Sequence, residues 1–361
     1  MLSEICRENG ILQIEEAVDG FTALEKCQQW KPDLVLLDMH MPNMDGIQAT
    51  AELKRLGLLE DMVVIMVTTF DNPDVKIRAF EAGITDFIPK PINSAEVMAR
   101  SLAHLERLYF HRCAAADYKR IQHELSEAII LQNVLLPTEE LLDDIRRDNE
   151  LDIAHYYHPA TELAGDYLSV RKLEDKKTAL LSADISGHGV TAALYSFSLH
   201  SLLTDKFLER HEPDEILKRT NAQLHMLMKT GKFATLFLGI VDTQNHELRY
   251  AAAAAPAPLF YSQGCIHKLD TAGYLLGAQK EASYALQRRA IQAGDILFIY
   301  SDALVETVDN KGNNMALFEI EALLKRHAHK EASHIIHEII SAFYTNDRQL
   351  SDDLSMLICK R

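Results

Sequence analysis

Long apolar stretches are missing from this sequence. No run approaches the ~20 residues needed to span a bilayer, so a membrane-embedded role is not expected. The opening residues, Met1-Leu2-Ser3-Glu4, lack the basic stretch and apolar core of a signal peptide. Cysteine is scarce: Cys6, Cys27, Cys113, Cys265 and Cys359, none at CxxC spacing. So neither a zinc site nor a disulfide framework is suggested, which suits a reducing cytoplasm. Lys and Arg never run longer than two in succession, against a formal net charge of −16. Such a surface repels nucleic-acid backbones and anionic lipid. No helix-turn-helix pattern, low-complexity segment or internal repeat stands out. The expectation is a cytoplasmic globular chain whose partners are neither nucleic acid nor membrane.

What is present suits folded domains: 361 residues, 47% hydrophobic and 25% charged, enough for two. Residues 1–93 alternate short apolar runs with segments of helical period. The candidate strands are Leu12–Val18, Leu34–Asp38, Val63–Thr68 and Asp86–Ile88; the candidate helices are Phe21–Gln29, Ile47–Leu56 and Pro73–Ala82. Such alternation predicts a parallel sheet with helices on both faces. Residues 94–137 predict one long helix, Ser94 to Leu136, stopped by Pro137. Within it Ala114, Tyr118, Ile121, Leu125, Ala128, Gln132 and Leu135 recur at heptad spacing. That seam fits either packing on the chain's own domains or a dimeric coiled coil. From about residue 150 to 361 the strands look antiparallel: Phe233–Asp242, Glu247–Ala253, Pro258–Tyr261, Ile296–Ser301 and Leu354–Lys360. Helical segments Thr191–Glu209 and Pro213–Lys229 interrupt them, which predicts an α+β domain.

Asp38 closes the apolar run Leu34-Val35-Leu36-Leu37, Thr68 closes the next strand, and Lys90 follows the one after. Parallel sheets build sites beyond the carboxyl ends of their strands, so a carboxylate, a hydroxyl and an ammonium should converge. That set suits phosphoryl transfer to the carboxylate, with a divalent cation offsetting charge. The segments Pro32–Gly46 and Ala82–Pro91 resemble the phosphorylation segment and lysine loop of two-component receiver domains. The resemblance implies a flavodoxin-like fold, Asp38 as phosphoacceptor, Thr68 as switch hydroxyl, Lys90 as phosphoryl-sensing lysine and Phe87 as aromatic switch. It also implies a cis Lys90–Pro91 bond, which prolyl peptides make cheap. Receivers open with a central strand ending in an acidic pair that holds Mg²⁺. This sequence starts inside the expected first helix, with that strand missing, and Glu15, Glu16 and Asp19 fall on the second strand and its exit. Either the coding sequence begins further upstream or the receiver is truncated. Mg²⁺ is expected there only if that N-terminus is present.

The later residues carry acids in four clusters: Glu162 to Asp166, Asp184-Ile185-Ser186-Gly187-His188-Gly189, Ile299 to Asp302, and Ser351-Asp352-Asp353-Leu354-Ser355. Hard divalent cations want several carboxylate oxygens, and a pair of them can activate water for in-line attack on phosphorus. Asp184–Gly189 followed by Val190-Thr191-Ala192-Ala193 resembles the signature of PPM-type phosphatases, in their bacterial sporulation and stress-response branch. Pro159–Asp166 resembles that branch's first acidic motif, and Ala128–Pro137 the helix entering its catalytic domain. The resemblance implies Asp166, Asp184, the Ile185 carbonyl, Asp302 and Asp352 (or its neighbour Asp353) as ligands of two Mg²⁺ or Mn²⁺ ions. Three departures stand out. Ala164 and Ala303 replace customary glycines, and Ala252–Ala257 replaces a segment that usually reads Asn-Ala-Gly-His-Pro-Pro. Alanine strains any turn that requires positive φ.

Together these features predict a response regulator with a metal-dependent protein serine/threonine phosphatase output. Its input would be a sensor histidine kinase or another phosphodonor. Its substrate would be a phosphorylated anti-sigma-factor antagonist or a similar partner-switching protein. The alternative is a non-catalytic adaptor that binds a sigma factor or regulatory protein. The linker would carry the signal in a homodimer, with Gln132 as the polar seam residue that leaves two packings close in energy.

Overall fold

The computed structural model describes residues 1–11, 13–69, 72–229, 231–345 and 348–361. The chain divides into two compact units, Met1–Gln122 and His123–Arg361.

The first unit is built on three parallel strands in the order β1 (Leu34–Asp38), β2 (Val63–Thr68), β3 (Asp86–Pro89). β2 is buried along its whole length. Its side chains alternate between two cores, as strand geometry requires. Val64 and Met66 join Ala23, Cys27, Ala49 and Leu53 on one face, and Val63, Ile65 and Val67 join Ile5, Ile88 and Val97 on the other. The helices Gly20–Trp30, Gly46–Arg55 and Pro73–Ala82 start on side-chain caps from Asp19, Asp45 and Asn72.

One expected strand is not formed. Residues 13–19 carry no strand, and Val18 is 82% exposed; Leu12 lies outside the described residues. A strand needs a neighbour for its backbone groups. Among the described residues the only element ahead of this segment is the helix Leu2–Glu8.

A single helix, Ser94–Asn133, links the two units. It ends three residues earlier than expected, consistent with the restriction that Pro137 places on the residue before it. In the first unit it is fastened to the sheet by ion pairs from Arg100 and His104 to Asp86 and from Arg112 to Asp33 and Asp61.

The second unit is a sandwich of two antiparallel five-stranded sheets. One has the order β10 (Cys265–Lys268), β9 (Leu259–Ser262), β12 (Ile296–Tyr300), β13 (Leu354–Lys360), β4 (Asp152–His158). The other has the order β11 (Gln287–Ala290), β8 (Glu247–Ala253), β7 (Ala234–Asp242), β6 (Lys177–Ile185), β5 (Tyr167–Lys172). The core between the sheets holds Leu168, Leu180, Phe237 and Leu248 from one and Ile153, Phe260, Leu297 and Leu357 from the other. Helices Val190–Leu202, Asp205–Arg210 and Pro213–Leu227 cover the outer face of the β5–β8 sheet. Helices Leu317–His327 and Ala332–Tyr344 cover the other. The single helix expected over Thr191–Glu209 is two. Leu203 turns fully inward at φ −94°, ψ 61°, and Thr204 takes an extended backbone before the chain re-enters helix.

Candidate active site

Four of the expected acids meet at one end of the sandwich because strand register brings them there. Asp166 immediately precedes β5, and the pair Tyr167–Ala183 sets it beside Asp184 near the end of β6. Asp302 follows β12, whose last residue pairs with Met356 of β13. The Ser301 amide continues that ladder to the Ser355 carbonyl at 2.9 Å, which brings Asp302 near the Asp352–Asp353 pair that precedes β13.

Among the described residues no cationic side chain forms an ion pair with these carboxylates. Asp166 is 4% exposed; burial, then repulsion from Asp184, Asp353 and Asp302, pushes its pKa well up despite a 2.5 Å hydrogen bond from the Ser355 hydroxyl. Asp184 is pushed up to about 7 by burial and by repulsion from Asp302, Asp352 and Asp353. Asp302 is also raised, first by burial and then by Glu306 and Asp352. Buried, mutually repelling carboxylates fit divalent cations, which is the chemistry expected of an all-oxygen donor set. As placed, no three His, Cys, Asp or Glu side chains among the described residues already grip one point.

The adjacent acids Asp352 and Asp353 are not equivalent. Asp353 is buried, and its oxygens accept from the amides of Ala160 at 2.8 Å, Gly165 at 2.6 Å and Asp166 at 3.4 Å. It clamps the first acidic loop to the start of β13. Asp352 is exposed, and its Oδ1 accepts only the neighbouring Asp353 amide. Gly165 lets that loop approach closely: a Cβ there would lie 2.9 Å from the Ile185 carbonyl oxygen.

The alanine departures separate. Ala164 and Ala303 have ordinary negative φ, so they carry no strain. Ala254, where the glycine of the usual segment would stand, sits at φ +52°. The expected strain falls there.

Gln132 is not a free seam residue. It is 6% exposed, and its amide donates to the Ala164 carbonyl at 2.8 Å while its oxygen accepts from the Ala164 amide at 3.1 Å. Ser355 and Tyr157, whose hydroxyl donates to the Asp166 carbonyl at 3.0 Å, were missed in the sequence. Ser355 stands two residues beyond the acid pair and could have been noticed; Tyr157 gives no local signal.

In the first unit, Asp38 ends β1 and Lys90 follows β3, and their side chains meet at 2.5 Å. The His40 amide donates to the other Asp38 oxygen at 3.1 Å. Thr68, at the end of β2, is 5% exposed and its hydroxyl donates to the Met39 sulfur. Phe87 packs edge-to-face on Phe80 with centroids 5.0 Å apart. The Lys90–Pro91 peptide is cis. Asp19 turns its carboxylate to the Thr22 amide and the Asn43 side chain.

Residues 174–361 match the family of Stage II sporulation protein E (SpoIIE). The chain belongs to the SpoIIE family. Residues 1–101 match the response regulator receiver domain. The phosphoserine phosphatase RsbU of Bacillus subtilis (strain 168) is 25% identical over 256 residues, 70% of this chain and 74% of that protein. The chemotaxis protein CheY of the same organism is 37% identical over 98 residues, 27% of this chain and 80% of that protein. The solved SiaA-PP2C domain of Pseudomonas aeruginosa superposes with a TM-score of 0.60 at 19% identity, covering 68% of this chain and 99% of that one. This SpoIIE-family chain is therefore a response regulator that joins a receiver domain to a PP2C-type Ser/Thr phosphatase domain through a long helix. Phosphatases of the family depend on metal ions. No helix among the described residues is long and apolar enough to cross a membrane.

Proposed function

We propose that this chain hydrolyses phosphoserine or phosphothreonine on a partner-switching protein of the anti-sigma-factor-antagonist type, under control of a phosphodonor such as a sensor histidine kinase, in the cytoplasm. The carrying observation is the set of uncompensated acids converging at one end of the sandwich. Asp166, Asp184, Asp302 and Asp352, with the Ile185 carbonyl, would hold two divalent cations of the Mg²⁺ or Mn²⁺ class. Such ions supply charge for the phosphoryl oxygens and lower the pKa of a bound water. Asp353, tied to three backbone amides, positions the Asp166 loop rather than ligating. Ser355 and Tyr157 fix Asp166 from its side chain and its carbonyl.

Asp38, Lys90, Thr68 and Phe87 form the input site, with Asp38 as phosphoacceptor. Lys90 already sits on the carboxylate that would carry the phosphoryl group. Two observations support the linker as the transmitter. Ala114, Tyr118 and Ile121 of the seam are exposed, which leaves a face for a second copy of the chain. Further along, Gln132 bonds to a residue two places from Asp166.

The test is hydrolysis of p-nitrophenyl phosphate and of a phosphoserine protein by the full chain with Mn²⁺, alongside Asp184→Asn. Removing a ligand should cost at least about a hundredfold in activity, more than loss of an outer partner does. Equal turnover in both proteins would sink the reading. Absence of any Mn²⁺ binding that depends on the four acids would favour the non-catalytic adaptor.

A further inference from the structure

We propose that Lys232 is the residue that binds the substrate's phosphoryl oxygens, an inference that rests on the phosphatase reading above. The ladder between β6 and β7 ends at the pair Ile185–Ala234. Beyond it the two chains stay together. The Ser186 amide donates to the Phe233 carbonyl at 2.9 Å, and the Phe233 amide donates to the Ser186 hydroxyl at 3.0 Å. That register sets Lys232 opposite Gly187, inside the Asp184–Gly189 loop. Its ammonium donates to the Ser186 carbonyl at 3.0 Å and lies over Gly187, where a Cβ would come within 2.5 Å of it. Gly187 has φ +99°, a left-handed backbone that strains any residue with a Cβ.

The placement is unusual in its charge. Lys232 is half-buried beside an end of the sandwich crowded with Asp166, Asp184, Asp302, Asp352 and Asp353, yet it forms an ion pair with none of them. An ammonium has three donors. One goes to Ser186, leaving two for an incoming anion. A phosphomonoester dianion approaching this end meets five carboxylates. Cations held by the acids can neutralise the oxygens turned toward them; a fixed lysine can neutralise one on the other side. Lysine binds phosphate as a point charge. The only other role its geometry offers is to pin the Ser186 loop in place.

The two roles separate in Lys232→Gln and Lys232→Arg, measured on the full chain at saturating Mn²⁺. The KM for p-nitrophenyl phosphate and the inhibition constant for inorganic phosphate should both rise about tenfold or more in Lys232→Gln, the usual weight of a charged hydrogen bond. The Mn²⁺ concentration giving half-maximal activity should stay within twofold, and Lys232→Arg should recover most of the loss. Phosphate inhibition and KM within twofold of the unmodified protein would overturn the assignment. So would a loss that tracks weakened Mn²⁺ affinity and lowered melting temperature, which is what a pin alone gives. If the unmodified chain turns over nothing, the phosphatase reading fails separately. Calorimetric titration of inorganic phosphate into the Mn²⁺-loaded protein still decides: weaker binding in Lys232→Gln supports the role, while equal binding, or none by the unmodified chain, refutes it.

Discussion

Ala254 and Asp184 show how single residues hold cost in this molecule. An L-residue in the left-handed region loses roughly 1–2 kcal/mol, and glycine recovers part of that against its own entropy cost. Ala254→Gly should therefore raise stability by about 1 kcal/mol, read as a higher urea midpoint at unchanged slope. A lower midpoint would mean that the alanine methyl packs usefully. Asp184 has the opposite character: its folded pKa, about 7, lies above the unfolded value of about 3.9. Protons bind the fold more tightly than the unfolded chain. Its contribution is thus complete below about pH 4 and is lost as pH rises through 7, by roughly 4 kcal/mol at most. In EDTA the melting temperature should fall between pH 5 and pH 8, and the fall should be smaller in Asp184→Asn. Added Mn²⁺ should protect best at the alkaline end, because protons and metal compete for the same oxygens.

The linker helix is the element whose reading changed most. Its heptad spacing alone allowed Gln132 to be a mobile seam residue, and a leucine there would then lock one packing. The two hydrogen bonds to Ala164 reverse that expectation. Gln132→Leu should leave a buried amide and carbonyl unpaired, costing roughly 2–4 kcal/mol. It should also uncouple the helix from the Asp166 loop. The observable is weaker Mn²⁺ dependence of activity together with loss of response to the input site. A variant with unchanged Mn²⁺ titration would argue against the coupling. Nearer the receiver the same helix leaves Tyr118 65% and Ile121 49% exposed. A dimer through this seam predicts that Ile121→Asp sediments as a monomer at concentrations where the unmodified chain is dimeric. If both sediment alike, the seam is not an interface.

At the scale of the molecule, two units with separate cores should melt separately. The receiver cores draw on residues 2–108, whereas the three sandwich cores begin at Leu136. Scanning calorimetry should show two transitions. Mn²⁺ at about a hundred times its dissociation constant should stabilise one of them by about 2.7 kcal/mol and leave the other in place. The shifted transition should be the one that Asp184→Asn no longer moves. A single transition that shifts as a whole would mean that the units unfold together.

Most of the receiver strands and both acidic signatures were legible because each is local. An apolar run ending in Asp38, or the Asp184–Gly189 turn, declares itself within ten residues. Strands β4, β5 and β6 were not legible. Lys177–Ile185 is buried along nearly its whole length, so no alternation marks it, and Asp152–His158 mixes polar and apolar residues with little exposure contrast. The four-residue edge strands β10 and β11 are too short to carry a period. By itself the sequence determined the two domain types, the helix between them and the list of acids. Only the tertiary structure decided that Asp353 clamps while Asp352 stays open, that Gln132 reaches the first acidic loop, and that Lys232 stands over Gly187. Each of these depends on strand register and on hydrogen bonds between residues far apart in the chain, and no spacing along the sequence encodes them.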